Sequence, residues 1–273
     1  MIRRKGQLYW DDGEVTLTEE MFIPMLDEEK NGKRYYNAVA HFSALRSLIA
    51  PDVLKDFQWI KMEYTVPYFV DLAFRCRNRV FGVMFASVGR DGILDCQSGW
   101  DERYSLCEKN DITPCLLPFD KDDNVLPLVS DKFNLVNAKR YREEGIIEAV
   151  APELVASGDF RECSGWELEN MAVMAIVENL HDKEKIDQIL YQTYPGVYPN
   201  IYWIDKNNAF NWMLIKFVKE RDLKPEMPQA MLEKIEGNNG YGHYGLCEIS
   251  NPYAPNVYPR GQAFDLKFEI MDL

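Results

Sequence analysis

The clearest hydrophobic pattern near the start of the chain is one helix followed by three β-like runs. Residues 37–49 carry an apolar stripe at helical spacing, and Pro51 ends it. Alternating or continuous apolar runs follow at 57–65, 68–76 and 80–88. The last run is apolar on both faces, which is typical of a central strand covered on each side. The pattern therefore predicts a helix-plus-three-strand (αβββ) unit.

The same order is predicted a second time in the C-terminal half. Ser164 and Glu167 have the spacing of a capping box, in which each side chain satisfies an open backbone N–H at a helix start. The helix that follows is apolar around most of its circumference, which indicates burial. Further β-like runs are expected at about 186–193, 200–205 and 209–218.

Two αβββ units with mixed or antiparallel sheets define an α+β fold. Residues 93–150 read as irregular, and we place the boundary in the Pro-, Ser- and Gly-containing stretch 145–161, giving domains 1–150 and 151–273. Three residues of the first hairpin match three of the second: Asn78, Phe81 and Met84 match Asn207, Phe210 and Met213. Internal duplication and chance convergence of two hairpins both explain these identities.

Charge narrows the classes of partner. The chain has 31 Lys and Arg against 44 Asp and Glu, a formal net charge of -13, so its average field repels nucleic acids and anionic membranes. A basic protein partner remains compatible with this charge. The sequence has neither a secretory h-region nor about 18 consecutive apolar residues, so we expect a cytoplasmic protein outside the membrane.

Cofactor and metal motifs are weak. The six cysteines lack C-x-x-C spacing, so we expect reduced thiols and no structural zinc. Residues 240–245 match G-x-G-x-x-G, but a predicted helix precedes them and a strand-like run follows, which is the wrong context for nucleotide binding. We therefore interpret them as a loop with tight turns and expect no cofactor.

The order of helix and strands, a proline-flanked polar residue opening the second strand and a lysine late in the third resemble the PD-(D/E)xK nuclease superfamily. The resemblance implies an acid at the start of the second strand and an acid two residues before the lysine, which together hold Mg²⁺. In the second block Asn200 stands at the first position and Leu214 at the second, while Lys216 matches the lysine.

The first block departs further from this pattern. Asp71 lies near the acid position of its second strand, but Phe85, Ala86 and Ser87 stand where the third-strand motif is expected. Glu167 or Glu169 at the second helix start could supply a ligand, although capping alone explains Glu167. If a nuclease site exists, its residues would be Asp71, Glu167, Asn200 and Lys216.

Our leading functional hypothesis is a non-catalytic, acidic protein-binding protein, comparable to immunity proteins or accessory subunits, with a basic partner. Half-exposed aromatic side chains make good contact anchors, which suggests a surface formed by Tyr191, Tyr194, Tyr198, Tyr202 and Trp203. Core packing explains the same residues. The alternatives are a divergent metal-dependent hydrolase and a structural component of an assembly; the oligomeric state is left open.

Overall fold

The chain divides into two compact units, which we call the N-terminal unit and the C-terminal unit. The computed structural model describes residues 15–16, 28–45, 48–49, 57–61, 70–96, 99–155, 159–186, 189–219 and 240–273. The N-terminal unit comprises Glu28–Tyr64 and Phe69–Arg161. The C-terminal unit comprises Glu162–Leu273 with Met1–Asp27 and Thr65–Tyr68. The division thus falls at the end of the predicted break at 145–161, and the start of the chain groups with the C-terminal unit.

The N-terminal unit opens with a helix and three antiparallel strands. These are α1 (Glu28–Leu45), β2 (Phe57–Lys61), β3 (Leu72–Cys76) and β4 (Arg79–Val88). Phe42 of α1 packs against Phe74 of the sheet in a continuous apolar core. Every residue of 80–86 is buried, which confirms the prediction of a covered central strand.

The stretch predicted to be irregular contains most of the remaining elements of this unit. They are β5 (Leu94–Cys96), α2 (Trp100–Lys109), β6 (Ile112–Phe119), β7 (Leu135–Asn137), α3 (Ala138–Glu144), β8 (Ala149–Val150) and α4 (Pro152–Val155). The prediction was wrong here because Pro114 and Pro118 read as strand breakers. The β6–β7 ladder pairs only Cys115 and Leu116 on the β6 side, so both prolines lie outside it.

Helix α2 carries the chain from the end of the antiparallel strands to β6, which pairs with β4 in parallel. The sheet order is β2-β3-β4-β6-β7-β8, with β5 added against β4. Parallel neighbours require such a crossover, usually a helix. The crossover matters for the site because it carries Arg103 into the interior of the unit, where its side chain is 6% exposed.

The C-terminal unit has the same order of helix and antiparallel strands. Its elements are β1 (Val15–Thr16), α5 (Gly165–Asp182), β9 (Ile189–Tyr191), β10 (Val197–Tyr198), β11 (Ile201–Ile204), β12 (Phe210–Lys219), β13 (Tyr241–Ser250) and β14 (Asp265–Asp272). The main sheet runs β14-β13-β12-β11-β9, with β12 and β13 parallel and the other neighbours antiparallel; β1 pairs with β10 separately. Both units mix helices with mixed sheets, so the predicted α+β class is confirmed.

The glycine-rich stretch 240–245 is not a loop but the entry into β13. A Cβ on Gly242 would lie 2.5 Å from the Trp212 ring, and one on Gly245 would lie 2.9 Å from Ile176. These glycines therefore make room for side chains of neighbouring elements, which the motif alone does not reveal. The short helix predicted near 229–235 lies outside the described residues.

Two further features bear on the predicted environment of the chain. All six cysteines lie in described residues and none forms a disulfide bond. None of the helices in the described part of the chain has the length and apolar character needed to cross a membrane.

Candidate functional site

Asp71 lies directly before β3 and is held from two sides. Its backbone N–H donates to the Val83 carbonyl at 2.8 Å, and its carboxylate Oδ2 accepts from the Phe85 N–H at 2.9 Å. The Arg103 guanidinium donates to the same oxygen at 2.6 Å, and both side chains are almost fully buried. Asp71 is thus the anionic half of a buried ion pair, so its negative charge is balanced within the unit.

Asn200 occupies the corresponding place in the C-terminal unit. Its backbone N–H donates to the Met213 carbonyl at 2.9 Å, and its side-chain Oδ1 accepts from the Ile215 N–H at 2.8 Å. Asp71 makes the same two contacts with Val83 and Phe85. In both units a short polar side chain therefore caps an amide of the third antiparallel strand.

This correspondence corrects the alignment predicted from the sequence by one residue. The first hairpin closes at the pair Cys76 and Arg79, whereas the second closes at Ile204 and Phe210 across a longer turn. The third-strand residues of the first unit that correspond to 214–216 are consequently 84–86, and not 85–87 as the sequence predicted. The three hairpin identities fall out of register, so they do not support a duplication.

The position expected to hold the second acid is apolar in both units. Met84 is 1% exposed and Leu214 is 0% exposed, and each packs in a hydrophobic cluster. A thioether or an alkyl side chain cannot supply the anionic oxygen that Mg²⁺ prefers. In the described ranges, no three His, Cys, Asp or Glu side chains are grouped so that they could hold a metal ion.

The polar side chains that do meet in the C-terminal unit are Glu169, Asn200, Lys216 and Tyr198. Asn200 Nδ2 donates to Glu169 Oε1 at 3.2 Å, and Lys216 Nζ lies 2.5 Å from Tyr198 Oη. Burial raises the pKa of Glu169 to about 7, while the Lys216 charge and the Asn200 hydrogen bond lower it. Of the predicted residues, Asn200 thus acts on Glu169 through a hydrogen bond and Lys216 through its charge.

Glu167, the other acid considered at the helix start, has a structural role. It completes the predicted capping box with Ser164, whose backbone N–H donates to Oε2 at 2.8 Å. Its carboxylate also receives Arg260, whose Nη2 lies 2.7 Å from Oε2, and both side chains are buried. Glu167 is therefore committed to the helix start, and the acid that meets Asn200 is Glu169.

The five aromatic residues predicted as a partner surface mostly belong to the core. Four of them are at most 9% exposed: Tyr191, Tyr198, Tyr202 and Trp203. Tyr194 is half-buried and packs against one of the apolar clusters. The prediction of a surface made from these residues is not supported, because four of the five side chains are buried.

An open cleft of about 490 Å³ in the C-terminal unit was not anticipated from the sequence. Its apolar floor includes Leu180, Ile186 and Met213. Among the described residues, three carboxylates, Glu184, Asp205 and Asp272, and one lysine, Lys206, line it. The remaining lining residues are Asn179, Trp203, Asn207, Asn211, His243 and Ile270. The cleft falls in the size range of natural ligand sites, about 300–1,000 Å³, and carries more anionic than cationic groups.

His243 is fixed at one wall of this cleft. Its Nδ1 lies 2.8 Å from Asp272 Oδ1, and its Nε2 lies 3.0 Å from Asn211 Oδ1. Its ring lies against Trp203, with centroids 4.9 Å apart and a 31° angle between the planes. These four residues come from four different strands, so no sequence motif could have joined them.

Comparisons of the chain with protein-family models, with curated proteins and with solved structures find no match. The nuclease resemblance therefore stays a prediction, and the function has to be argued from the site.

Proposed function

We propose that this chain is a non-catalytic binding protein whose acidic cleft receives a basic side chain of a partner protein. The observation that carries the proposal is the cleft of about 490 Å³, whose described lining has three carboxylates, one lysine and an apolar floor. An arginine or lysine side chain suits such a site, because its stem packs on apolar surface while its charged head meets carboxylates.

The electrostatics of the whole chain favour the same class of partner. A formal net charge of -13 attracts basic proteins from a distance and speeds encounter at moderate ionic strength. Trp203 and His243 add flat rings at one wall, and a guanidinium can stack on such rings. We therefore propose arginine as the preferred occupant.

The residues at the predicted nuclease positions support a binding role over catalysis. Asp71 is neutralised by Arg103, and the second acid position holds Met84 or Leu214. Phosphodiester hydrolysis by this mechanism requires two anionic oxygens beside the metal. Neither unit offers that pair at these positions.

A short acetylated and amidated peptide with two arginines tests the cleft directly. We expect it to bind, and we expect the same peptide with citrulline, which is neutral and nearly isosteric, to bind much more weakly. The double variant Glu184→Gln and Asp205→Asn should weaken binding of the arginine peptide about twofold to thirtyfold, since each of the two charges contributes about 0.2–1 kcal/mol. Calorimetric titration at low salt measures both effects.

Glu248→Gln is the matched control, because Glu248 is an exposed acid of β13 that does not line the cleft. It removes a carboxylate in the same way and should leave peptide binding unchanged. Equal binding of the citrulline peptide, or equal weakening by Glu248→Gln, would contradict recognition by the cleft. Absence of peptide binding at millimolar concentration would contradict it as well.

A divergent metal-dependent hydrolase is the second candidate, favoured by one observation. Glu169 accepts a hydrogen bond from Asn200 and is under the influence of the Lys216 charge, and both Asn200 and Lys216 stand at positions where the nuclease resemblance expects a metal site. A divalent ion bound only by the folded chain must raise the melting temperature. Under this candidate, millimolar Mn²⁺ raises the Tm of the natural chain and leaves the Tm of Glu169→Gln unchanged. If Mn²⁺ does not change the Tm of the natural chain, this candidate is rejected.

A further inference from the structure

Strand β14 forms an edge of the five-stranded sheet of the C-terminal unit. It pairs with β13 over eight residues, and within the described part of the chain no strand pairs with its other side. The strand has no proline, and its register with β13 is continuous from Asp265 to Asp272. Natural edge strands are usually blunted by prolines, bulges, charged side chains or short length, because an open edge is a template for another strand. β14 has charged side chains but neither a proline nor a bulge.

The direction of the backbone groups along β14 follows from one hydrogen bond. Leu273 N–H donates to the Gly242 carbonyl at 2.9 Å, so odd-numbered residues direct their N–H and C=O groups toward β13. Leu266, Phe268 and Ile270 consequently direct theirs toward the open side. A strand that pairs with the centre of this edge forms its hydrogen bonds at these three residues.

We infer that two copies of this chain pair antiparallel through β14, with the two-fold axis at Phe268. In this register Phe268 faces Phe268 of the second copy, and Leu266 faces Ile270. With two hydrogen bonds at each hydrogen-bonded pair, these three pairs form about six backbone bonds. The interface is isologous, as in most homodimers, so it closes without further growth.

The charges of β14 are self-complementary in this register. Lys267 of each copy lies opposite Glu269 of the other, at the closely spaced pairs where side chains are nearest. Both residues are exposed. The sequence Asp-Leu-Lys-Phe-Glu-Ile-Met-Asp therefore pairs opposite charges twice and apolar side chains three times across the axis.

The neighbouring registers lack this complementarity. An axis at Lys267 places Lys267 opposite itself and Asp265 opposite Glu269, and an axis at Glu269 places Glu269 opposite itself. Like charges directly opposite each other destabilise a strand pair. Both registers keep Phe268 at a hydrogen-bonded pair, opposite Leu266 or Ile270, so backbone direction allows all three and charge favours the axis at Phe268.

The experiment is a charge exchange monitored by sedimentation equilibrium of the full chain, from about 1 µM to about 1 mM at physiological salt. We expect the natural chain to pass from monomer to dimer within this range. Lys267→Glu or Glu269→Lys alone places like charges opposite each other twice and should weaken dimerisation about tenfold or more. Mixing these two variants restores opposite charges at both pairs and should restore the dimer as a heterodimer.

Lys183→Glu is the matched control, because Lys183 is an exposed lysine outside β14, and it should leave the association constant unchanged apart from the general charge effect. Circular dichroism of each variant establishes that it is folded. A chain that stays monomeric up to about 1 mM, or a mixture that fails to recover the dimer lost in both single variants, overturns the inference. Glu184 and Asp205 lie outside β14, so the double variant of the cleft should dimerise normally and failure of one proposal can be told from failure of the other.

Discussion

Asp71 of the N-terminal unit and Asn200 of the C-terminal unit occupy the same backbone position with different neighbours. Each accepts a hydrogen bond from the third antiparallel strand, at 2.9 Å from Phe85 and 2.8 Å from Ile215. Asp71 is neutralised by Arg103, whereas the Asn200 amide donates to Glu169. What the two units share is the acceptor that satisfies a buried strand amide, and the charge at that position differs.

The two units accommodate polar groups in their interiors in different ways. The N-terminal unit balances one full charge with another, which depends on both partners being present. The C-terminal unit uses a neutral amide and leaves Glu169 with a pKa raised by burial to about 7. One site is thus sensitive to the loss of a cation, and the other is sensitive to pH.

Removing the arginine should produce the largest effect. Arg103→Met leaves the Asp71 carboxylate buried without its partner, so we expect the free energy of unfolding of the N-terminal unit to fall by about 3–5 kcal/mol. The double variant Asp71→Asn with Arg103→Met copies the neutral arrangement of the other unit and should recover much of this loss. Urea denaturation followed by circular dichroism measures both values.

Arg142→Met provides the control for this experiment. Arg142 pairs with Asp101 at 2.7 Å on the surface, where the two side chains are 38% and 68% exposed. Its loss should cost about 1 kcal/mol or less. If Arg103→Met lowers the free energy of unfolding no more than Arg142→Met does, the buried pair contributes no more stability than a surface pair.

A smaller, pH-dependent effect is expected in the C-terminal unit. The folded pKa of Glu169 lies above the usual value of 4.5, so its contribution to stability is complete below pH 4.5 and is lost as the pH rises to about 7. Glu169→Gln removes this dependence. Relative to the natural chain, the variant should therefore gain about 2 kcal/mol of unfolding free energy between pH 5 and pH 8.

Denaturation of both proteins at pH 5 and pH 8 measures this gain. Glu248→Gln changes an exposed acid in the same unit and should show no such difference between the two pH values. A Glu169→Gln effect that is the same at both pH values would mean that the folded chain does not hold the Glu169 proton as proposed.

Local signals in the sequence predicted the start of helix α5 and the covered strand β4. Ser164 and Glu167 form the expected capping box because that motif depends only on residues three apart. The apolar run 80–88 likewise reports burial on both faces of one strand. The α+β class follows from such local patterns, since each element carries its own hydrophobic period.

The candidate site could not be predicted from local patterns, because its residues are far apart in the sequence and meet only in the folded chain. The chain from Asn200 to Met213 is one residue longer than the chain from Asp71 to Val83, which was enough to misalign the third strands. Arg103 lay in a stretch predicted to be irregular. Once Glu167 is assigned to capping, Glu169 is the acid left at the helix start, and that signal was present in the sequence. The cleft had no comparable signal, because His243 and Trp203 meet only in the folded sheet.

The ion pair between Glu167 and Arg260 has a consequence for synthesis of the protein on the ribosome. The two residues are 93 positions apart, and the bond joins the first turn of α5 to the segment just before the last strand. A nascent chain that has emerged only as far as β13 holds an acid at the helix start with its cation still inside the exit tunnel. This unit consequently completes its interior only after nearly all of its residues have been translated, which favours folding late and in one step.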